Sequence, residues 1–147
     1  MKKLIVFAPR RRGVNTFPQA VSPPETITSR QNPRVKELVR LREKAHRVRT
    51  GLFLIEGQRE IEHALRAGIE PEELFTCADF FRDAAAAVLA GKVGEKGVPV
   101  TVMSRGAFEK ASGREGPDGL LALALTWEGT LAGIRFRRAA PLLLLAE

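Results

Sequence analysis

The feature that most constrains the fold is an apolar run near residue 120. After Gly119, residues Leu120–Thr126 are apolar almost without interruption and carry no charge. A run of this kind is typical of a β-strand that is covered on both faces, because a half-exposed strand alternates between apolar and polar residues. The sequence therefore predicts a sheet whose last strand lies between two layers of helices.

Helix and strand patterns alternate along residues 26–127. The predicted helices begin at Asn32-Pro33, run from Gly57 to Gly68, and span Asp79–Ala90, with Asp79 as cap, and Arg105–Ala111, with Ser104 as cap. The other predicted strands are Leu52–Ile55, Leu74–Cys77 and Val98–Met103. Helices that alternate with strands through short connections predict an α/β fold, a three-layer α/β/α sandwich.

The first helix is predicted to be amphipathic and strongly basic. Asn32 can cap it, and proline suits its first turn. The apolar stripe at helical spacing consists of Val35, Leu38, Val39, then Leu41 or the stem of Arg42, and Ala45. The other faces carry Arg34, Lys36, Arg40, Lys44 and Arg47.

Positive charge is concentrated at the front of the chain. The 147 residues have a net charge of +7, but residues 1–50 hold 13 basic and 3 acidic side chains, a net charge of +10. Residues 51–147 hold 11 basic and 14 acidic side chains, a net charge of −3. This asymmetry indicates a polyanionic partner, either a nucleic acid or an anionic membrane surface, and a solubilising basic tail is the alternative.

Composition excludes several other classes of protein. One cysteine and two histidines leave no internal disulfide framework and too few ligands for a closed zinc site. The apolar stretches are far shorter than a membrane span, so a soluble protein is expected. The single cysteine fits the reducing cytoplasm. Residues 1–25 are predicted to be a flexible leader, because the apolar run Leu4–Ala8 is too short for a secretory signal.

No catalytic constellation is evident in the sequence. His46 and His63 are expected to be solvated, and Cys77 to be a small core residue. The acidic pairs Glu60/Glu62 and Glu72/Glu73 are interpreted as surface groups. The glycine-containing loops at 91–97 and 113–119 lack the spacing of nucleotide-binding loops.

Two predicted helix starts are suited to phosphate. Backbone N–H groups at a helix N-terminus attract anions, and both Asn32-Pro33 and Gly57-Gln58-Arg59 stand at such a position beside arginine. The alternative is that Gly57 is a turn glycine and Arg59 an exposed helical arginine, and the sequence leaves both open.

Three segments resemble one known family. Residues Ile27–Leu38 (ITSRQNPRVKEL) and Phe53–Gly57 (FLIEG), with Glu60-Ile61, are similar to the start of the SpoU/TrmH RNA 2′-O-ribose methyltransferases. Residues Ser112–Leu120 (SGREGPDGL) are similar to the segment before the last strand of that family's substrate-binding domain, which often has glutamine where Asp118 stands.

The resemblance implies an N-terminal RNA-binding domain over residues 26–127, with the fold of kink-turn-binding ribosomal proteins. Residues 128–147 would be a linker and the first strand of a knotted SPOUT domain, which binds S-adenosylmethionine and dimerises in the family. This chain ends before that domain's catalytic residues, so it is expected to be truncated and inactive alone, with no cofactor of its own.

The expected partner is RNA, ribosomal RNA in particular. Its contacts are predicted at Arg30, Asn32, Arg34, Lys36, Arg40, Gly57, Gln58, Arg59 and Arg114. A stand-alone kink-turn-type RNA-binding module is the alternative function. Attachment of a basic 30–49 helix to a membrane surface is less favoured, because the apolar face of that helix lacks Trp and Phe.

Overall fold

A five-stranded mixed sheet organises residues 26–127, the part of the chain that the computed structural model describes. Its strands are β1 Thr26–Ile27, β2 Leu52–Glu56, β3 Pro71–Thr76, β4 Val100–Met103 and β5 Leu120–Leu125. The helices are α1 Pro33–Arg40, α2 Lys44–Thr50, α3 Gln58–Arg66, α4 Ala84–Glu95 and α5 Arg105–Ala111, with a 3₁₀ turn at Ala78–Phe80. The predicted leader and the predicted linker with its apolar strand lie outside the described residues.

The strand order is β1-β4-β3-β5-β2, with β5 antiparallel to both of its neighbours and the remaining pairs parallel. The carboxyl ends of β1 to β4 therefore meet the amino end of β5 at one end of the sheet. We call this end the carboxyl edge. The connections that follow β1 and β2 and the one that precedes β5 all lie there.

Two apolar cores lie on opposite faces of the sheet, which confirms the three-layer prediction. One core packs α1 and α5 against the sheet, and the other packs α3 and α4. Strand β5 serves both, because Leu121 and Leu123 belong to the first core and Leu120 and Ala122 to the second. Burial of each such leucine contributes about 1.5–3 kcal/mol.

Two of the predicted helix starts are confirmed by their caps. The side-chain oxygen of Asn32 accepts a hydrogen bond from the Arg34 backbone N–H at 2.8 Å. The Ser104 hydroxyl accepts one from the Ala107 N–H at 3.4 Å, and α5 has the predicted bounds. Both caps satisfy N–H groups that have no partner within the helix.

The prediction of a single basic helix over residues 30–49 is wrong. The chain turns at Leu41–Glu43, and α2 starts a new helical phase. Ala45 is consequently exposed, whereas His46 is buried, with its ring bonded to the side chains of Glu37 and Arg49. The prediction that His46 is solvated is therefore also wrong, whereas His63 is exposed as expected.

The third predicted helix begins later than expected. Asp79 lies in the 3₁₀ turn, and Asp83 caps α4 by accepting a hydrogen bond from the Ala85 N–H at 2.8 Å. Helix α4 then continues through Gly91 and Gly94, so the predicted loop at 91–97 is mostly helical.

One of the four acidic residues expected at the surface is buried. Glu73 is 7% exposed, and its carboxylate accepts hydrogen bonds from the Arg34 guanidinium and the Thr101 hydroxyl. These two partners compensate the cost of burying the charge. Cys77 is buried, as predicted, and burial raises the pKa of its thiol.

Candidate nucleic-acid interface

The carboxyl edge carries three exposed arginines from separate parts of the chain. Arg30 follows β1, Arg59 lies in the first turn of α3, and Arg114 lies in the loop 112–119 that precedes β5. The topology brings them to one end of the sheet, because parallel strands present their carboxyl ends together. Three of the nine predicted RNA contacts are therefore exposed cations at one edge.

The backbone at the start of α3 adopts a conformation that only glycine takes without strain. Gly57 has φ +112°, and its N–H donates to the Leu120 carbonyl at 3.1 Å. A Cβ atom at this position would lie 2.8 Å from Nη1 of Arg114. Gly57 is thus a structural residue that lets α3 begin beside the loop 112–119.

A carboxylate of the protein already occupies the N-terminus of α3. The Gln58 backbone N–H donates to Oδ2 of Asp118 at 2.8 Å, and the Gln58 side chain bonds to Glu62 at 3.3 Å. A helix N-terminus favours a negative group, and Asp118 supplies one. The backbone N–H of Gln58 is therefore not available to a ligand at this end, and one N–H of its side-chain amide is directed to Glu62.

An ion pair lies beside this cap. Nη2 of Arg114 is 3.3 Å from Oε1 of Glu60, and both side chains are about half exposed. The pKa of Glu60 is lowered from its ordinary value, first by a hydrogen bond from its own backbone N–H and then by Arg114 and Arg59. The exposed ion pair is weak, so Arg114 can exchange Glu60 for a phosphate at little cost.

Glu56 fixes the other end of the loop 112–119. Its carboxylate accepts hydrogen bonds from the Gly113 N–H at 3.0 Å and from the Ser112 hydroxyl, which in turn accepts one from the Arg114 N–H at 3.2 Å. Asp118 and Glu56 together anchor the loop against β2 and α3. The position of Arg114 is therefore set by the fold.

Arg34 has partners within the domain, unlike the exposed cations. Its guanidinium pairs with the buried Glu73 and lies over the ring of Phe75, 5.4 Å from the centroid. Its side chain is 28% exposed. Arg34 therefore stabilises the packing of α1 on the sheet, and Asn32 supports it by capping that helix.

The other two predicted contacts on α1 lie at the surface. Lys36 is exposed, and Arg40 is exposed with a 3.7 Å ion pair to Glu37. Within residues 26–127, Arg30, Lys36 and Arg59 have no ion pair. These three cations are available to an anionic partner without the disruption of an internal ion pair.

Sequence reasoning missed two arginines that bind helix C-termini. Nη2 of Arg42 donates to the carbonyls at the end of α5, including that of Ala111 at 3.0 Å. Nη1 of Arg47 donates to the carbonyls of Leu41 and Arg42 at 3.0 and 2.6 Å. The sequence suggests Arg47 as a charge on the polar faces and the stem of Arg42 as an alternative member of the apolar stripe. No local signal indicates that either guanidinium binds a helix end.

Comparison with known proteins identifies the family to which this chain belongs. Residues 32–122, which include most of the described sheet and both helix layers, match the model of the MRM3-like substrate binding domain. The chain belongs to this family. No curated protein matches the chain significantly.

Solved structures of RNA methyltransferases share the fold of this MRM3-like domain. An RNA 2′-O ribose methyltransferase is 41% identical with a TM-score of 0.62, over 75% of this chain and 41% of its own. An rRNA methyltransferase from Sinorhizobium meliloti is 24% identical with a TM-score of 0.61, over 75% and 40%. The SpoU methyltransferase AviRb from Streptomyces viridochromogenes, solved with AdoMet, is 21% identical with a TM-score of 0.59, over 72% and 38%.

This chain spans about two fifths of the length of these neighbours. The two that are less than 25% identical share the fold alone. None of the helices within residues 26–127 has the length and apolarity needed to cross a bilayer.

Proposed function

We propose that this MRM3-like domain recognises the RNA substrate of an RNA 2′-O-ribose methyltransferase. It holds a structured RNA, ribosomal RNA in particular, at the carboxyl edge while a catalytic domain carries out methyl transfer. The observation that carries the proposal is the family match over residues 32–122 together with exposed arginines from three segments at one edge. We place this activity in the cytoplasm.

The proposed contacts are mainly to phosphates. Arg30, Arg59 and Arg114 supply charge at the carboxyl edge, and Lys36 and Arg40 extend the positive surface along α1. Gly57, Gln58 and Asn32 act indirectly, because they shape the helix starts that present the cations. Arg34 pairs with Glu73 and stabilises the domain. Its proposed role is therefore structural and is not a direct contact with phosphate.

S-adenosylmethionine belongs to the catalytic domain in this proposal. Neighbours of this domain have been solved with AdoMet, and they are more than twice as long as the matched region. The loop 112–119, the glycine-containing loop near the interface, is occupied by internal bonds to Glu56 and Gln58. These residues do not fit a cofactor cradle, and dimerisation is likewise assigned to the catalytic domain.

The test is binding of a ribosomal RNA hairpin by the full chain at several salt concentrations. We expect Arg59→Ala and Lys36→Ala each to weaken binding and to reduce the salt slope by roughly 0.7–0.9 for each phosphate that the variant no longer neutralises. The matched control is Lys92→Ala/Lys96→Ala, two exposed lysines at the end of α4 distant from the carboxyl edge. Equal effects in the control would contradict the proposed surface.

A further inference from the structure

Each of the five strands brings one exposed arginine to the carboxyl edge. The segments that form this edge are the connections beside the strands, with the first three residues of any helix that follows: residues 28–35, 57–60, 77–86, 104–107 and 112–119. None contains a lysine, and in the strand order β1-β4-β3-β5-β2 their exposed arginines are Arg30, Arg105, Arg82, Arg114 and Arg59. Adjacent strands lie about 4.8 Å apart, so these arginines are distributed over about 19 Å.

Contacts between neighbouring segments support this order in the half of the edge near β1 and β4. A Cβ atom at Gly106, in the first turn of α5, would lie 3.7 Å from Cδ of Arg30. The guanidinium of Arg105 lies over the ring of Phe80, 4.8 Å from the centroid. Because Phe80 packs against the core beneath α1 and α5, Arg30 and Arg105 meet at that helix layer.

The other three arginines follow in the half of the edge near β3, β5 and β2. Nη2 of Arg82 donates to the carbonyl of Gly116, in the loop that precedes β5, at 3.4 Å. Arg114 in the same loop pairs with Glu60 in the first turn of α3, where Arg59 also lies. Since α3 belongs to the opposite helix layer, the five arginines together cross the carboxyl edge from one layer to the other.

Acidic side chains share these segments, five in all, so the carboxyl edge is not a uniformly positive field. Three of them have bonds within the domain: Asp83 caps α4, Asp118 accepts the N–H at the start of α3, and Glu60 pairs with Arg114. Aspartate and glutamate are also shorter than arginine. Bidentate contacts between guanidinium groups and phosphates suit such a mixed surface better than attraction to bulk charge does.

We propose that one RNA strand crosses the carboxyl edge from the α3 layer to the α1/α5 layer, and that Arg82 and Arg105 bind its phosphates in the middle of this path. The inference rests on the proposed RNA-recognition function, to which it adds two contact residues and the direction of the RNA. Phosphate contacts fix the register and orientation of a bound nucleic acid. The path therefore sets the orientation in which the RNA is presented to the catalytic domain.

Arg82→Gln and Arg105→Gln test the path in the full chain, with a ribosomal RNA hairpin at several salt concentrations. We expect each variant to reduce the salt slope by roughly 0.7–0.9, and the double variant by about twice as much. The matched control is Arg66→Gln. Arg66 pairs with Glu62 at 2.8 Å as Arg105 pairs with Glu109 at 3.2 Å, but it lies at the far end of α3. An equal loss in the control would overturn the proposal.

Arg105→Lys separates charge from packing. It keeps the cation but removes the planar group that lies over Phe80, so we expect it to retain the salt slope that Arg105→Gln loses. Thermal melting checks that both variants are folded. Equal loss of slope in the two would overturn the role of Arg105 as a phosphate contact.

Failure of the path differs from failure of the proposed function. If the variants at Arg82 and Arg105 bind as the wild type does while Arg59→Ala is weakened, the path is wrong and the proposed function stands. No RNA binding by the wild-type chain would overturn the proposed function itself.

The direction of the RNA can be mapped with a tethered reagent. Cys77 is the one cysteine and is buried, so a cysteine introduced at the surface is the reactive one. Gln31→Cys, beside Arg30, and His63→Cys, one turn after Arg59, are exposed positions at the two ends of the path. A hydroxyl-radical reagent at each should cut the hairpin at sites several nucleotides apart in one strand. Cuts at the same nucleotides from both positions would overturn the proposed path.

Discussion

Oδ2 of Asp118 accepts a hydrogen bond from the backbone N–H of Gln58 at 2.8 Å, across 60 residues of sequence. The N-terminus of α3, which on sequence grounds is suited to phosphate, is thus filled by a carboxylate of the protein. RNA that approaches Arg59 and Arg114 meets this negative charge as well. Asp118 therefore has a structural benefit and an electrostatic cost.

These two effects can be separated at Asp118. Asp118→Asn keeps a side-chain oxygen that can accept the Gln58 N–H but removes the charge, so we expect the fold to be kept and RNA affinity to rise. Asp118→Ala loses the cap, which costs about 1 kcal/mol of stability. Urea unfolding and hairpin binding measure the two effects. Weaker RNA binding by a fully folded Asp118→Asn would mean that the carboxylate assists binding.

Gly57→Ala should destabilise the domain by about 1–3 kcal/mol, since φ +112° is strained for any residue with a Cβ. The matched control is Gly91→Ala. Gly91 lies inside α4, and a Cβ there would have no neighbour within 4 Å, so we expect a gain of about 0.5–1 kcal/mol. Urea unfolding of both variants measures the difference, and similar values for the two would contradict the strain argument.

Arg34→Ala should lower stability much more than Lys36→Ala. Removal of Arg34 leaves the carboxylate of Glu73 buried without its cation, at a cost of about 3 kcal/mol. Lys36 is exposed, so its replacement should change stability by less than about 0.5 kcal/mol. Urea unfolding provides both values. The double variant Arg34→Met/Glu73→Gln should recover part of the loss, and no recovery would mean that the charge is not the cause.

The interaction of Glu60 with its neighbours should depend on pH. Its pKa in the folded protein is lowered below the ordinary value of 4.5. A lowered pKa means that the stabilisation is present above the ordinary value and is lost as the pH falls through the folded-state value. The difference in stability between wild type and Glu60→Gln should therefore shrink in acid.

Arg114→Ala tests the contribution of the ion pair to this pKa. Without the guanidinium, the pKa of Glu60 should rise toward its ordinary value while the backbone hydrogen bond continues to hold it down. Titration of the side-chain carboxyl carbon by NMR measures the change. An unaltered pKa would indicate that Arg114 and Glu60 do not interact in solution.

Local signals in the sequence predict most of the fold. The caps at Asn32 and Ser104 and the apolar run of β5 depend on residues close in the chain, and all three are confirmed. The predicted start of the third helix, at Asp79, is wrong because of tertiary packing. Phe80 packs in one core and Phe81 in the other, so consecutive side chains point to opposite faces and the chain there cannot continue as a helix.

The site is less predictable than the fold. The sequence draws attention to Gly57 and to the loop 112–119 separately, but the bond between Gln58 and Asp118 joins residues that are distant in sequence. The same holds for Arg34 and Glu73, each of which resembles a surface charge. His46 is buried because Glu37 and Arg49 satisfy its ring nitrogens, and helical periodicity contains no information about such partners.

The position of β5 has a consequence for biosynthesis. This strand is the last of the five to leave the ribosome, yet it lies between β2 and β3 and supplies leucines to both cores. Until Leu125 has been made and has left the exit tunnel, β2 has no partner strand and neither core is complete. The nascent domain must therefore wait with apolar surface exposed, the state in which chaperones bind and aggregation begins. We therefore expect this domain to complete its fold on the ribosome only after β5 has emerged.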